Sequence, residues 1–204
     1  ALQTLMGNTE LNENAVPEDY STCVGVLPLP EKDLIYYFVD GGGIKNYRPL
    51  QYKDYIIEYN TISKSYQYVF VDIYRVIDTA AGDNQSTAEF VVADNSIVPN
   101  GTGIRKGMKI TGTFTHPSTS ATLQITQADN VQVTDVIRAG SEWRIVHNYG
   151  GNIPHSAGDV ISFQAPRVLN FNALKKITAI NHIDGMIFWT DGYTEPKKIN
   201  IQNC

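Results

Sequence analysis

Residues 177–201, ITAINHIDGMIFWTDGYTEPKKINI, decide the fold. An apolar strand entering at Ile177 meets Asp184-Gly185, and the dense run Met186-Ile187-Phe188-Trp189-Thr190 follows. Asp191-Gly192 then turns the chain toward Lys198-Ile199-Asn200-Ile201. Aromatic and β-branched side chains fit a pleated, half-buried surface, and Asp-Gly supplies the dihedrals a hairpin turn requires. This reads as a β-meander with an aromatic central strand.

The same device stands earlier in the chain. Asp33-Leu34-Ile35-Tyr36-Tyr37-Phe38-Val39-Asp40-Gly41 lies over Asp184-Gly185-Met186-Ile187-Phe188-Trp189-Thr190-Asp191-Gly192 without a gap. Each copy has a partner strand, Asp54-Tyr55-Ile56-Ile57-Glu58-Tyr59 in the first and Lys197-Lys198-Ile199-Asn200-Ile201 in the second. Cys23-Val24-Gly25-Val26 takes the place of the strand entering at Ile177. A unit that recurs within one chain buries its apolar face against its copies.

Working outward, the chain divides into four parts. Residues 1–22 are polar and uneven and read as an extended connector. Residues 23–80 carry strand patterns at 23–27, 34–39, 54–59 and 66–76, an antiparallel sheet the size of a propeller blade. At 77–86 the composition shifts toward Gly, Thr, Ser and Val, and residues 81–165 read as an inserted small β-sandwich or barrel. Its strands are expected at 89–93, 108–115, 121–126, 130–138, 142–147 and 159–164. Residues 166–204 return to the aromatic pattern. The expected fold is therefore all-β, a partial β-propeller with an inserted β-module. Without the insert, too few residues remain for the roughly four to eight blades of a closed ring. A longer polypeptide or other chains must then complete it.

Composition narrows the function. The 204 residues are 42% hydrophobic and 18% charged, as in a globular chain. A net charge of −5 gives no basic footprint for nucleic acid. No apolar stretch approaches the ~20 residues of a membrane-spanning helix. Opening on Ala1, the chain reads as processed or as a segment of something longer. The two cysteines, Cys23 and Cys204, are expected to be a small buried thiol and a chain-end residue rather than a disulfide framework.

Phe188-Trp189-Thr190-Asp191 resembles the YWTD type of β-propeller blade, whose aromatic pair packs between blades and whose Asp ties down a turn. Tyr37-Phe38-Val39-Asp40 matches it in part. EKDLIYYFV with DYIIEYN and DGMIFWTDGYTEPKKINI is similar to virion proteins of podovirus-like tailed bacteriophages, more narrowly the tail nozzle, called the muzzle in crAss-like phages of Bacteroidetes. Those are β-propellers bearing inserted β-domains. In the insert, Ile104-Arg105-Lys106-Gly107-Met108-Lys109-Ile110-Thr111-Gly112, the strand at 131–137 and Gly158-Asp159-Val160-Ile161-Ser162-Phe163 are similar to a small β-module that recurs in phage structural proteins. These likenesses cover about half of the chain. They imply a non-enzymatic structural protein of the viral tail. Its partners would be other tail and portal-complex proteins and copies of itself in a ring. DNA would pass as non-specific cargo during ejection, and no membrane would be bound.

The chemistry-bearing residues fit that expectation. His116, His147, His155 and His182 show no ligand spacing, and they read as surface or satisfied structural histidines. Asp33, Asp40, Asp184 and Asp191 stand at strand ends beside Gly or loops, where a carboxylate accepts turn N–H groups. With Gly41, Gly185, Trp189 and Gly192 they are the structural blade and turn residues. Gly41-Gly42-Gly43 lacks phosphate-cradle spacing and reads as a hairpin loop. No catalytic residue, metal or cofactor is expected. Asn84-Gln85-Ser86 and Asn100-Gly101-Thr102 match N-glycosylation acceptors. The alternative function is an extracellular YWTD-type binding protein or carbohydrate reader that uses the tyrosine-rich face of 36–74. A propeller glycosidase acting through two carboxylates comes third.

Overall fold

The structure is a computed structural model that describes residues 21–41, 50–84, 87–93 and 102–201. Most of the connector at 1–22, the loop from Gly42 to Pro49, both glycosylation triplets in part, and Cys204 lie outside those residues. The fold is all-β, with thirteen described strands in three antiparallel sheets, and two 3-10 turns are its helical elements. No helix among the described residues is long and apolar enough to cross a membrane.

Two compact units divide the chain. The first takes its described residues from 21–41, 54–71 and 169–201, and the second from 50–53 and 72–168. The second is thus wider than the stretch 81–165. Strand β4 (Ser65–Thr79) runs unbroken into the composition shift, and its Val76, with Ala80 beyond it, joins the second unit's core.

In the first unit β1 (Thr22–Leu29), β2 (Leu34–Gly41), β3 (Leu50–Asn60) from Asp54 onward and the start of β4 follow one another in a meander. A second sheet holds β11 (Ala179–Ile183), β12 (Met186–Thr190) and β13 (Lys197–Asn200), with β12 central. The sister strands occupy matching places. Tyr36 and Phe38 of β2 are buried, and so are Ile187 and Trp189, the residues that lie over them. Asp33 (φ 55°) and Asp184 (φ 50°) both hold left-handed backbone just before their strands. Asp184-Gly185 has two positive φ angles, the geometry of a tight two-residue hairpin. The first copy uses a longer turn, a 3-10 turn at Pro30–Lys32 capped by Asp33.

β3 shows why this sheet is stable. Asp54, Tyr55, Ile56 and Ile57 are 0, 0, 0 and 3% exposed, so four consecutive residues are buried although their side chains alternate in direction. Both faces of the sheet are covered there. Ile56 joins Val24, Tyr36, Phe38, Ile187 and Trp189 in one core, while Tyr55 and Ile57 pack with Val39 on the other side. Each buried aromatic or aliphatic side chain contributes about 1.5–3 kcal/mol.

In the second unit the end of β4 pairs with β10 (Val160–Gln164), which pairs with β6 (Lys109–Thr115) and then β7 (Thr122–Ile125). A second sheet orders β5 (Glu89–Ala93), β9 (Glu142–His147) and β8 (Val133–Ala139). Phe90, Met108, Ile110, Phe114, Ile145, Ile161 and Phe163 from both sheets share one core. The bounds of β5 and β9 are those the sequence pattern indicates.

One expectation changes. Cys23 is exposed rather than a buried thiol, because the strand bulges between Cys23 and Gly25 and Val24 takes the inward position. Of the two readings open for His155, the structural one holds: it is buried, its ring packs on Phe90 with centroids 4.8 Å apart, and its Nδ1 lies 2.8 Å from the Ile153 carbonyl.

Candidate functional site

The most strongly constructed feature of the first unit is an aromatic seam. Phe38, Phe171 and Trp189 meet edge to face, with ring centroids 5.6 to 6.2 Å apart. Such pairs add about 0.5–1.5 kcal/mol beyond burial. Phe38 and Trp189 come from the sister strands, whereas Phe171 comes from irregular chain and needs another support. Asp54 supplies it: its Oδ2 accepts the Phe171 N–H at 3.0 Å. Asp40 Oδ2 accepts the Ala173 N–H at 2.8 Å in the same way. In the second unit Asp72 Oδ2 accepts the Val168 N–H at 2.5 Å. Two buried carboxylates, Asp54 and Asp72, and the half-buried Asp40 thus satisfy backbone donors in chain that has no sheet partner of its own.

Asp191 behaves as a turn residue. Its Oδ1 accepts the N–H groups of Tyr193 (2.9 Å) and Thr194 (2.8 Å), and the Thr194 hydroxyl approaches both oxygens. Burial pulls its pKa upward, but the Thr194 and Tyr193 donors and nearby Lys197 outweigh that and hold it below the usual carboxylate value. Gly192, next to it, has a φ of 74°. Asp40, the matching residue of the first copy, serves the distant Ala173 instead. Asp33 and Asp184 act through their backbone conformation, and Gly41 ends β2 in a buried position. Gly25 sits where a Cβ would come 2.9 Å from the Ile177 side chain, so the bulge in β1 requires glycine.

The segment from Ile104 to Gly112 in the second unit has turn and packing roles. Arg105 donates from Nη1 to the Ile73 carbonyl at 2.7 Å. Gly107 turns the chain at φ 85°, and Met108 enters the core fully buried. A Cβ on Gly112 would lie 2.8 Å from the Val160 carbonyl oxygen.

Two places in the second unit have a polar character that the sequence left unnoticed. His147 is 5% exposed, and among the described residues neither ring nitrogen has a hydrogen-bond partner. Burial, and after it the nearby His155, which also packs on Phe90, push its pKa down to about 4. An open depression of about 330 Å³ is lined by Asp83, Asn84, Thr87, Glu142 and His155 among others. Asp83 Oδ1 already accepts the Ala157 N–H at 2.8 Å, and the Asn84 amide donates to the Glu89 carbonyl at 2.9 Å. Among the described residues no three His, Cys, Asp or Glu side chains gather as metal ligands would. The geometry on display builds and locks sheets.

No protein-family model, curated protein or solved structure matches this chain.

Proposed function

We propose that this chain is a non-enzymatic structural component of a phage virion tail, of the nozzle or muzzle kind. Its first unit would be part of a β-propeller, and its second a β-sandwich inserted into it. The observation that carries this reading is the β3 segment Asp54 to Ile57, buried on both faces of its sheet, with a sister sheet sharing the core on one side. Propeller blades stack in this manner, each sheet covered on both faces by its neighbours. The motif of the second unit supports the same reading, because Gly112 and Met108 fill packing positions and Gly107 and Gly158 hold turns at positive φ. In the virion the pieces would ring a channel with other tail proteins, and the acidic balance of the chain would let DNA pass without binding its phosphates. Electron microscopy of the purified protein tests this. Rings with a central channel are expected, and isolated particles at every concentration would speak against it.

A second reading rests on one observation. Tyr55, Tyr68 and Tyr66 form a chain of edge-to-face contacts at 5.6 and 6.1 Å, and Tyr68 is exposed. Aromatic faces of this kind suit sugar or protein recognition by an extracellular propeller. Binding to a glycan array that is lost in Tyr68→Ala would favour it.

A further inference from the structure

The open depression of the second unit serves neither its core nor its turns, yet its walls are fixed. They are tied to β5 and to the segment 153–159. Ala81 N donates to the Val91 carbonyl at 2.8 Å, and the Asn84 amide to the Glu89 carbonyl at 2.9 Å. Asn84 and His155 exchange two backbone hydrogen bonds, each 2.9 Å long. The Ala157 N–H donates to Asp83 Oδ1 at 2.8 Å, which orients that carboxylate and leaves Oδ2 without a partner among the described residues. Asp83, Glu142 and His155 all line this space of about 330 Å³, and none of the described residues lining it is Lys or Arg. A preformed cavity with a few convergent polar groups is the usual form of a ligand site.

His155 gives the depression its chemistry. The residue is 1% exposed, and its Nδ1 lies 2.8 Å from the Ile153 carbonyl. A carbonyl only accepts, so in the neutral ring Nδ1 carries the proton and Nε2 keeps its lone pair. Among the described residues that nitrogen has no partner, and a buried polar atom left unpaired costs stability until something pairs with it. The Glu142 carboxylate likewise has no ion-pair partner among the described residues. Arg144, two residues along β9, is already committed to Glu89, through Nε at 3.0 Å and Nη2 at 2.5 Å. The depression therefore offers acceptors and negative charge, with the methyl groups of Ala81 and Val91 beside them. We propose that it binds an alkylammonium group, which donates to Asp83 Oδ2, the Glu142 carboxylate and His155 Nε2 while its methylene stem lies along Ala81 and Val91. An ammonium has three rotatable donors for three separate acceptors, whereas a guanidinium fork is built for one carboxylate in two parallel bonds. The group would come from a free polyamine or from a lysine side chain of a docked protein. The inference uses the second unit alone and does not rest on the virion reading.

Saturation-transfer NMR on the full chain tests it, with cadaverine and acetyl-lysine methylamide as probes and pentanediol as the uncharged control. Cadaverine should bind and the diol should not. Glu142→Gln and Asp83→Asn both keep an oxygen in place, and for Asp83 that oxygen still serves the Ala157 N–H. Each should weaken binding about two- to fivefold, and the pair together about tenfold. His155→Phe keeps a ring on Phe90 and removes the lone pair, so it should weaken binding as well. Circular dichroism checks its fold, and the two carboxylate variants carry the test if it unfolds. Glu195→Gln, in the first unit, should leave binding unchanged. Binding of cadaverine without the lysine derivative assigns the site to a free amine, and binding of both assigns it to a side chain presented by a partner. Absence of saturation transfer to either amine at about 10 mM overturns the proposal. Equal binding of the diol, affinity that both carboxylate variants leave intact, or an equal loss in Glu195→Gln does the same. Displacement of the amine by micromolar zinc or calcium chloride, itself lost in Glu142→Gln, would give the site to a metal ion and overturn it too.

Discussion

The two units hold their sheets together by different means. The first relies on Phe38, Phe171, Trp189 and Tyr36, with the buried Asp54 and the half-buried Asp40 satisfying irregular backbone. The second relies on Ile, Val, Met and Phe from two sheets, and its buried polar members include two histidines against Phe90. Aromatic seams are directional, so they need their partners fixed in place, and Asp54 does this for Phe171. An aliphatic sandwich fixes itself by close packing. Its weak point is the neutral imidazole that must stay uncharged.

Each unit has its own reporter, Trp189 in the first and Trp143 in the second. Single-tryptophan backgrounds (Trp143→Phe or Trp189→Phe) therefore let the comparison be pressed. The largest effect is expected from Phe38→Ala, which empties the seam at a cost of about 3–5 kcal/mol. Urea unfolding followed through Trp189 should shift more than unfolding followed through Trp143, and equal shifts would break the contrast. Asp54→Asn should cost about 1–3 kcal/mol on the Trp189 signal, since the Phe171 N–H loses its charged acceptor.

The pH dependence belongs to the second unit. The His147 pKa lies at about 4 when folded, against about 6.5 unfolded, so the neutral form is favoured by folding. Its contribution is fully present above pH 6.5 and is lost as pH falls from there through 4. A loss of about 1–3 kcal/mol on the Trp143 signal is expected, below the full value because solvent screens part of it. His147→Phe should flatten that slope, and a slope unchanged by the substitution would place the effect elsewhere. The smallest effect is expected for Asp191→Ala. Losing the Tyr193 and Thr194 bonds at the surface should cost about 0.5–1.5 kcal/mol on the Trp189 signal.

What was legible in the chain was local. Alternating side chains marked β5, β9 and β12 to their exact bounds, and Asp184-Gly185 announced its turn. The ungapped match of the sister strands picked out the same two buried positions in each copy, 36 and 38 against 187 and 189. What was hidden was distant pairing. Nothing near Asp54 indicates that it will meet an N–H 117 residues away, and nothing near Pro154 indicates that His155 will lie on Phe90. Cys23 misled for a related reason. A bulge reverses the face of a single residue, and Ile177, which makes Gly25 necessary, is far along the chain.

The central claim is that the two aromatic strands near positions 38 and 189 build one shared core. A double-mutant cycle on Phe38→Ala and Trp189→Ala, read by urea unfolding through far-ultraviolet circular dichroism, tests it most directly. Contact predicts a coupling energy of about 0.5–1.5 kcal/mol. Costs that simply add, within about 0.3 kcal/mol, would mean that the strands do not meet.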